Sequence, residues 1–578
     1  MAFQQVPIRN ANITSAFWSQ MQRCSKEKTI PAIIKAQKSL QHWYCLTWKE
    51  GHEILPHPFW DSDIYKVVEA ACYFLMKSED QELMATVEEA VDMIRAAQHP
   101  EGYINSYYTV LGIDKRWTNL RDMHELYCLG HLMEACVAYE TLTNSGRLLE
   151  PVLKALRHVD SVFGSETGKK RGYPGHQEIE IGLLRLYELC GDPLLLNLAK
   201  YFITERGRRD PGGETYFDHE AKARGGDLYD HFGGEMKAWF EYPRDYSYNQ
   251  ADRPLLETTE IKGHAVRAMY DYIAATDLVR LTGDKEIKAA LNRMWTNMTE
   301  KKLYVTGGIG AMRQWEGFGA RYVLGDTEEM LQLELNVKYA DVMEIGLYNG
   351  FLGAVGLDGG SFYYQNPLRT YTGHPKERSE WFEVGVLAFA VPGTDVVVSQ
   401  TTNMPWSGDV QITVKGTTAL ALRIPTWANG YTTSVEGEAR DGYLYIPESN
   451  DQEVKLAFTL NARKLYPNPA IEKDQICIMR GPLIYCIEDV DNDVDVDRVG
   501  LMDDSVSDGE PIDIAAVSGV IPVEARGREL VKGGTQLYAL APWKYGNVKS
   551  LVYVPYFLRA NRGGKGGMTV WAKRLDSC

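Results

Sequence analysis

One change of period constrains this chain more than anything else. From about Ala16 to Gly356, apolar residues recur at spacings of three and four, in runs of helical length. After about Glu383 the runs become short, and either alternate or stay continuously apolar. The first pattern buries one stripe of a helix and the second builds strands, so the chain divides into a helical part and a β part. Ten helices are expected, at roughly 17–39, 62–78, 80–97, 124–142, 147–163, 176–190, 192–206, 262–282, 284–300 and 337–354. Short turns such as Lys77-Ser78-Glu79-Asp80 and Cys190-Gly191-Asp192-Pro193 join many of them into hairpins. Antiparallel pairs at regular intervals suggest an α/α toroid. A six-pair toroid needs about two helices more than these ten.

In the β part, Val410-Gln411-Ile412-Thr413-Val414, Leu420-Ala421-Leu422-Arg423-Ile424-Pro425 and Glu453-Val454-Lys455-Leu456-Ala457-Phe458 read as strands. Short strands with frequent turns suggest a β-sandwich. Residues 500–578 are also strand-like and suggest a further β module. The expected class is therefore a multidomain α and β protein, an (α/α)6-type helical toroid followed by β-sandwich domains. The expected divisions are 1–380, 381–490 and 491–578. With 578 residues the chain exceeds a single domain. The acidic run from Glu488 to Asp497 reads as a solvated linker; it lacks the glycine an EF-hand loop needs at its sixth position.

Charge narrows the partners. There are 62 basic and 78 acidic residues, a net charge of −16, with no basic block. Nucleic acid and anionic membrane are poor partners for such a chain. No window holds 18 apolar residues, and the N-terminal stretch lacks a basic region followed by an apolar core, so neither a membrane span nor a signal peptide is expected. Nine scattered cysteines without a CxxC motif suggest reduced, buried thiols and a cytoplasmic location. The 34 tyrosines, 16 phenylalanines and 13 tryptophans suit a small-molecule or oligosaccharide ligand, since sugar rings present C–H faces to aromatic rings. They equally suit an ordinary core. A homodimer is left open.

The chemistry is expected between Leu303 and Gly350. Leu303-Tyr304-Val305 runs into Thr306-Gly307-Gly308-Ile309-Gly310, and Glu316 follows between Trp315 and Phe318. A carboxyl group among aromatic rings is where a general acid of raised pKa could sit; the plainer reading is a solvated loop carboxylate. Three helix starts share one local grammar: His124-Glu125, Gly175-His176-Gln177 and Gly263-His264-Ala265. In a toroid such starts lie on one rim, where neutral imidazoles could bind sugar hydroxyls. Alternatively each histidine caps or packs its own helix. There is no HExxH, no Ser-His-Asp grammar and no phosphate-binding loop.

Several stretches together resemble glycoside hydrolase family 127. They are HELYCLGHLMEA, GHQEIEIGLLRLYELCGD, KGHAVRAMYDYIAATDL, LYVTGGIG, KYADVMEIGLYNG, SFYYQNPL, LRIPTWANG and MRGPLIYCIE, in this order. The founding activity of that family is a β-L-arabinofuranosidase. The resemblance implies an (α/α)6 barrel followed by β-sandwich domains, and a retaining reaction in which a zinc-held cysteine thiolate attacks the anomeric carbon. By motif it places the acid/base on Glu316 and sugar contacts on His124, His176, His264, Glu344 and Tyr364.

The resemblance breaks at the metal. The family carries a Glu-x-Cys helix where Asp326-Thr327-Glu328-Glu329 here runs into Met330-Leu331-Gln332-Leu333, and a Cys-Cys pair where Val384 here is followed by Gly385-Val386-Leu387-Ala388. No cysteine lies between Cys190 and Cys477. No zinc, and no other cofactor, is therefore expected. Either a natural relative has discarded the zinc–thiolate chemistry, or coding sequence is missing at two places. Without it, Glu316 and Glu344 remain as a two-carboxylate pair that could in principle invert a glycoside. A non-hydrolytic pseudoenzyme, or a scaffold recruited to small-molecule biosynthesis, is the alternative.

Overall fold

The structure is a computed structural model. It describes residues 7–225, 245–312, 316–324, 327–328, 337–371, 379–380, 397–504, 506–531, 542–563 and 566–576. Trp315 and most of both sequence breaks, at 329–336 and 381–396, lie outside the described residues. It is a mixed α and β molecule with a helical N-terminal part and a β-rich C-terminal part.

All ten expected helical stretches are helical. The first is α1 (Ala16–Cys24) and α2 (Ile30–Ser39), joined by a π-turn. Then come α3 (Trp60–Leu75) and α4 (Gln81–Ala97). Next is α5 (Ser106–Leu111), a short helix outside the ten expected stretches. Two hairpins follow: α6 (Glu125–Thr143) with α7 (Leu149–Val162), and α8 (Ile179–Cys190) with α9 (Pro193–Glu205). A second unexpected helix is α10 (Tyr216–Arg224), fixed by a Thr215–Asp218 capping box. The part ends with α11 (Ala265–Thr282), α12 (Lys285–Lys301) and α13 (Val337–Ile345), the last running into a π-turn at Gly346–Phe351.

Four of these pack side by side in sequence: α3 on α6, α6 on α8, and α8 on α11. Each has its hairpin partner beside it: α4, α7, α9 and α12. The inner members are buried nearly all round. Along α6, Leu126, Leu129, Leu132 and Met133 are all buried, and each contributes roughly 1.5–3 kcal/mol of apolar burial. The outer members bury one stripe, as in α7 with Val152, Ala155, Leu156 and Val159. Close approach of α6 and α8 needs Gly130, where a Cβ would lie 2.6 Å from the Glu178 and Ile179 backbone. An apolar groove lined by Met269, Val279, Leu291 and Trp295 opens along α11 and α12.

Among the described residues the β part has two large sheets and a two-stranded one that pairs Ile512–Ile514 with Val517–Val520. In the first, β1 (Val397–Thr402), β2 (Asp409–Arg423), β5 (Tyr443–Phe458) and β3 (Tyr431–Thr433) lie in that order, with β4 (Glu438–Arg440) also on β5. The second contains β6 (Ala462–Leu465), β7 (Gln475–Arg480), β8 (Leu483–Glu488), β9 (Val499–Met502), β10 (Val523–Leu530), β11 (Tyr545–Pro555), β12 (Met568–Thr569) and β13 (Ala572–Leu575). Its pairings close on themselves. Strand β7 pairs with β13, β13 with β9, β9 with β10, β10 with β11, β11 with β8, and β8 again with β7. A ring of strands leaves no free edge among these six.

Strands on both sides of residue 490, where the sequence suggested a division, thus share one sheet. The acidic run at that point is not a solvated linker. Glu488 and Asp491 both pair with Arg562, and Asp497 pairs with Arg369. Asn492 exchanges two bonds with the Val552 backbone, and Asp495 caps a turn. Arginines distant in sequence supply the counter-charges, which the local composition could not reveal.

The two parts are joined through the site-bearing segments. Asn349 donates to Pro482 O and accepts from Ile484 N–H. Arg559, almost fully buried, lies over Tyr556 at 3.9 Å and Tyr363 at 4.9 Å and donates to Asn366 Oδ1 at 2.8 Å.

Candidate functional site

The N-terminal ends of α3, α6, α8 and α11 meet on one rim. His124 is the N-cap of α6 and His264 the N-cap of α11; His176 stands two residues before the N-cap of α8. Their rings form an arc, with centroids 5.6 Å apart from His124 to His176 and 5.9 Å from His176 to His264. The glycines of the shared grammar make the arc feasible. A Cβ on Gly175 would lie 1.8 Å from Arg121 O, and one on Gly263, at φ +74°, would lie 1.9 Å from Ser247 O.

Glu316 closes the arc. Its backbone has φ 48°, and its carbonyl accepts from Ala265 N–H at 2.9 Å, so the loop is stitched to the start of α11. Phe318 N–H donates to Gly263 O at 2.9 Å on the other side. The carboxylate then meets His264 Nε2 at 3.2 Å through Oε2, and the Tyr364 hydroxyl at 2.7 Å through Oε1. Five of the six expected site residues, Glu316, His124, His176, His264 and Tyr364, are thereby brought together.

Glu344 is placed differently. Its Oε2 accepts from Trp427 Nε1 at 2.6 Å and pairs with Arg423, at the contact between α13 and the end of β2. Asp341, one turn earlier on α13, accepts from Thr426 N–H at 3.1 Å. These two carboxylates tie YADVME to LRIPTW, a link between two of the quoted motifs that spacing alone could not show.

The electrostatics reverse one expectation. Glu316 does not have a raised pKa. The His264 hydrogen bond lowers it more than partial burial raises it, and Tyr364 and Arg267 lower it further. The aromatic neighbour inferred from sequence, Phe318, belongs to the buried cluster of Ile261, Met269 and Trp295. The imidazoles move the opposite way to a cation site. Burial first, and then the Arg267 guanidinium, hold His124 and His176 well below the ordinary histidine value. Burial also lowers His264, and the Glu316 bond only partly offsets it.

Neutral rings have definite tautomers. His264 Nδ1 accepts from Arg267 N–H at 3.3 Å, which leaves the proton on Nε2, facing Glu316. His176 Nδ1 lies 2.8 Å from the Gln177 carbonyl, an obligate acceptor, so there Nδ1 is protonated and Nε2 is bare. One ring donates and the other accepts, a complementary pair for sugar hydroxyls.

Sequence reasoning missed several members. Arg267 is buried inside the quoted stretch KGHAVRAM, donates to Gly175 O at 2.6 Å and stacks on Tyr248 at 4.7 Å. Tyr127 and Tyr270 floor the arc, 4.4 and 5.5 Å from the His176 ring. Phe59 flanks His124 at 5.3 Å. Aromatic residues at helical spacing read as core, and only their place on the rim separates them from it.

The described cysteines bear on the zinc-held thiolate that the family resemblance implies. Cys45, Cys72, Cys128 and Cys136 are buried, with thiol pKa values raised by burial. Cys477 and Cys486 are buried in the strand ring and are raised likewise. Cys190 is exposed at the far end of α8. Among the described residues, one group of ligand-type side chains has its atoms within 4.8 Å of one another: Asp210, Glu214 and His219. It does not include any residue of the arc, and Lys222 already pairs with its Glu214. No helix among the described residues is long and apolar enough to cross a membrane.

Comparison with known proteins gives the family. Residues 6–385 match the model of the β-L-arabinofuranosidase GH127 catalytic domain, 382–462 its middle domain, and 462–573 its C-terminal domain. The chain is 31% identical over 599 residues to the non-reducing end β-L-arabinofuranosidase of Bifidobacterium longum subsp. longum, covering 89% of each. Its structure resembles that of Ara127N-Se, a GH127 β-L-arabinofuranosidase from Geobacillus stearothermophilus T6. The TM-score is 0.88 and the identity 31%, over 98% of this chain and 100% of the other. The GH127 β-arabinofuranosidase BT3674 follows with a TM-score of 0.84 and 26% identity, covering 99% and 98%. With a catalytic-domain match that spans well over half its length, the chain belongs to glycoside hydrolase family 127.

Proposed function

We propose that this family member acts on or binds a β-L-arabinofuranoside-type glycoside in the arc of His124, His176 and His264, with Glu316 as its acid/base and no zinc-held thiolate. The carrying observation is the Glu316 carboxylate, held between His264 Nε2 and the Tyr364 hydroxyl beside two further neutral imidazoles. A furanose ring offers several hydroxyls that donate and accept, which matches one Nε2–H and one bare Nε2. In the unliganded protein Glu316 is ionised and so begins as a proton acceptor; His264 steadies the charge without taking it up. Four inner and four outer helices support an incomplete (α/α)6 toroid as the scaffold. The β part is read as the support of that scaffold.

A second reading has its own support. The catalytic thiol of the family has no counterpart between Cys190 and Cys477, and a pocket without a nucleophile can bind sugar without cleaving it. Release of p-nitrophenol from its β-L-arabinofuranoside, with and without added zinc, separates the two. Release that ignores zinc and vanishes in Glu316→Gln supports an enzyme. Binding without release supports a pseudoenzyme or a scaffold recruited to other chemistry. Failure of the compound to bind contradicts both.

A further inference from the structure

The fourth helix start on the rim, that of α3, has the same position as the three that carry the arc. Phe59 is its N-cap, as His124 and His264 are of theirs, and His57 stands two residues earlier, as His176 does before α8. The loop that delivers them is fixed to α6, because Cys128 Sγ donates to Pro58 O at 3.6 Å. From Phe59 a wall of rings leads away from the arc. Phe59 meets His57 edge to face at 4.3 Å, His57 lies 5.9 Å from Trp60, and Trp60 stacks on His42 at 3.8 Å with 22° between planes. The His57 ring is exposed, and Phe59, Trp60 and His42 are half-buried. The same loop exposes Ile54 and Leu55, at 42% and 51%.

We infer that His57 and Trp60, backed by His42, form an outer subsite continuous with the arc, which receives a second ring of a longer ligand. Its chemistry is that of an apolar ring face: the C–H face of a neighbouring sugar or the face of an aromatic aglycone. Rings packed as a wall with polar imidazole edges suit such a face, and none of these four carries a fixed charge that would demand an ionic partner. Burial lowers the pKa of His42, in keeping with a neutral stack. The inference rests on the proposed sugar-binding role of the arc.

Calorimetric titration of the full chain tests it with three ligands: methyl β-L-arabinofuranoside, benzyl β-L-arabinofuranoside and a disaccharide of β-L-arabinofuranose. The benzyl compound, the disaccharide or both should bind about tenfold more tightly than the methyl compound, the gain of one stacked ring. Which of the two gains identifies the source of the ring. His57→Ala and Trp60→Ala should remove that gain and leave the methyl compound unchanged. His57 is exposed, so its variant remains informative should Trp60→Ala fail to fold. Equal affinity for all three ligands, or a gain that survives both substitutions, overturns the outer subsite and leaves the arc intact. No binding of the methyl compound overturns the arc itself, and the subsite with it.

Discussion

His264 holds its Nε2 proton toward Glu316, at 3.2 Å, because its other ring nitrogen is committed to capping the helix that follows. The Arg267 N–H is one of the donors every helix leaves unpaired in its first turn. A local need of α11 thus fixes the tautomer of a site residue, and the tautomer in turn fixes the charge of Glu316. Substituting His264 by Asn keeps a capping oxygen and loses the bond to Glu316. The carboxylate should then titrate at higher pH, seen as an upward shift of the acid limb of ligand binding.

Tyr364 makes the second bond to that carboxylate. Tyr364→Phe should move the same limb upward and leave the fold unchanged, since the ring is 56% exposed. The sign follows from linkage. A depressed carboxylate favours the folded state above its unfolded value of ~4.3 and loses that contribution as pH falls through the folded value. Thermal melts taken from pH 6 down to pH 3 should therefore fall less steeply for Glu316→Gln than for the parent.

The neutral imidazoles predict a second pH window. His124 and His176 have depressed values, so the unfolded chain binds their protons first. The stability these two neutral rings contribute should decline as pH falls below ~6.5, while the buried carboxyls of Glu125, Glu220 and Asp271, pushed up by burial to about 8, 7 and 7, contribute in the opposite sense. Imidazole nitrogen shifts measured by NMR should show both rings neutral at pH 6, with the proton of His176 on Nδ1. A protonated His176 at that pH contradicts the assignment.

Much of this was legible in the chain, and the limits have physical causes. Helices are written locally, in spacings of three and four, and all ten expected stretches are helical. The Gly-His grammar was legible because a close backbone approach leaves room for glycine alone. The charge of Glu316 was not legible: its partners His264 and Tyr364 lie 52 and 48 residues away. Nor was the strand ring, whose closure needs β13 to lie between β7 and β9, parallel to the latter. Helix α10 escaped notice because its hydrophobic stripe is short and its signal is a capping box.

Glu344 should prove to be a structural residue. With its carboxylate on Arg423 and Trp427, Glu344→Gln should cost about 1–3 kcal/mol of stability, read as a lower denaturant midpoint. Affinity for a methyl glycoside should change little. Loss of turnover without loss of stability would instead make it the second carboxylate of an inverting pair.

Arg559 carries the β part's influence to the site. Asn366→Ala removes the acceptor of a buried guanidinium, at a cost of about 1.5–3 kcal/mol, and loosens the segment that presents Tyr364. Its acid limb should shift in the direction seen for Tyr364→Phe. A variant that loses stability without that shift would show that Asn366 supports the fold alone.

In the proposed function, Glu316 faces a sugar-binding hollow with no metal-bound sulfur. A crystal structure of the protein grown with zinc and soaked with methyl β-L-arabinofuranoside tests it most directly. A furanose is expected within hydrogen-bonding distance of Glu316, His176 and His264, with no tetrahedral zinc beside it. A zinc ion held there by this polypeptide, or a sugar bound away from the arc, would contradict it.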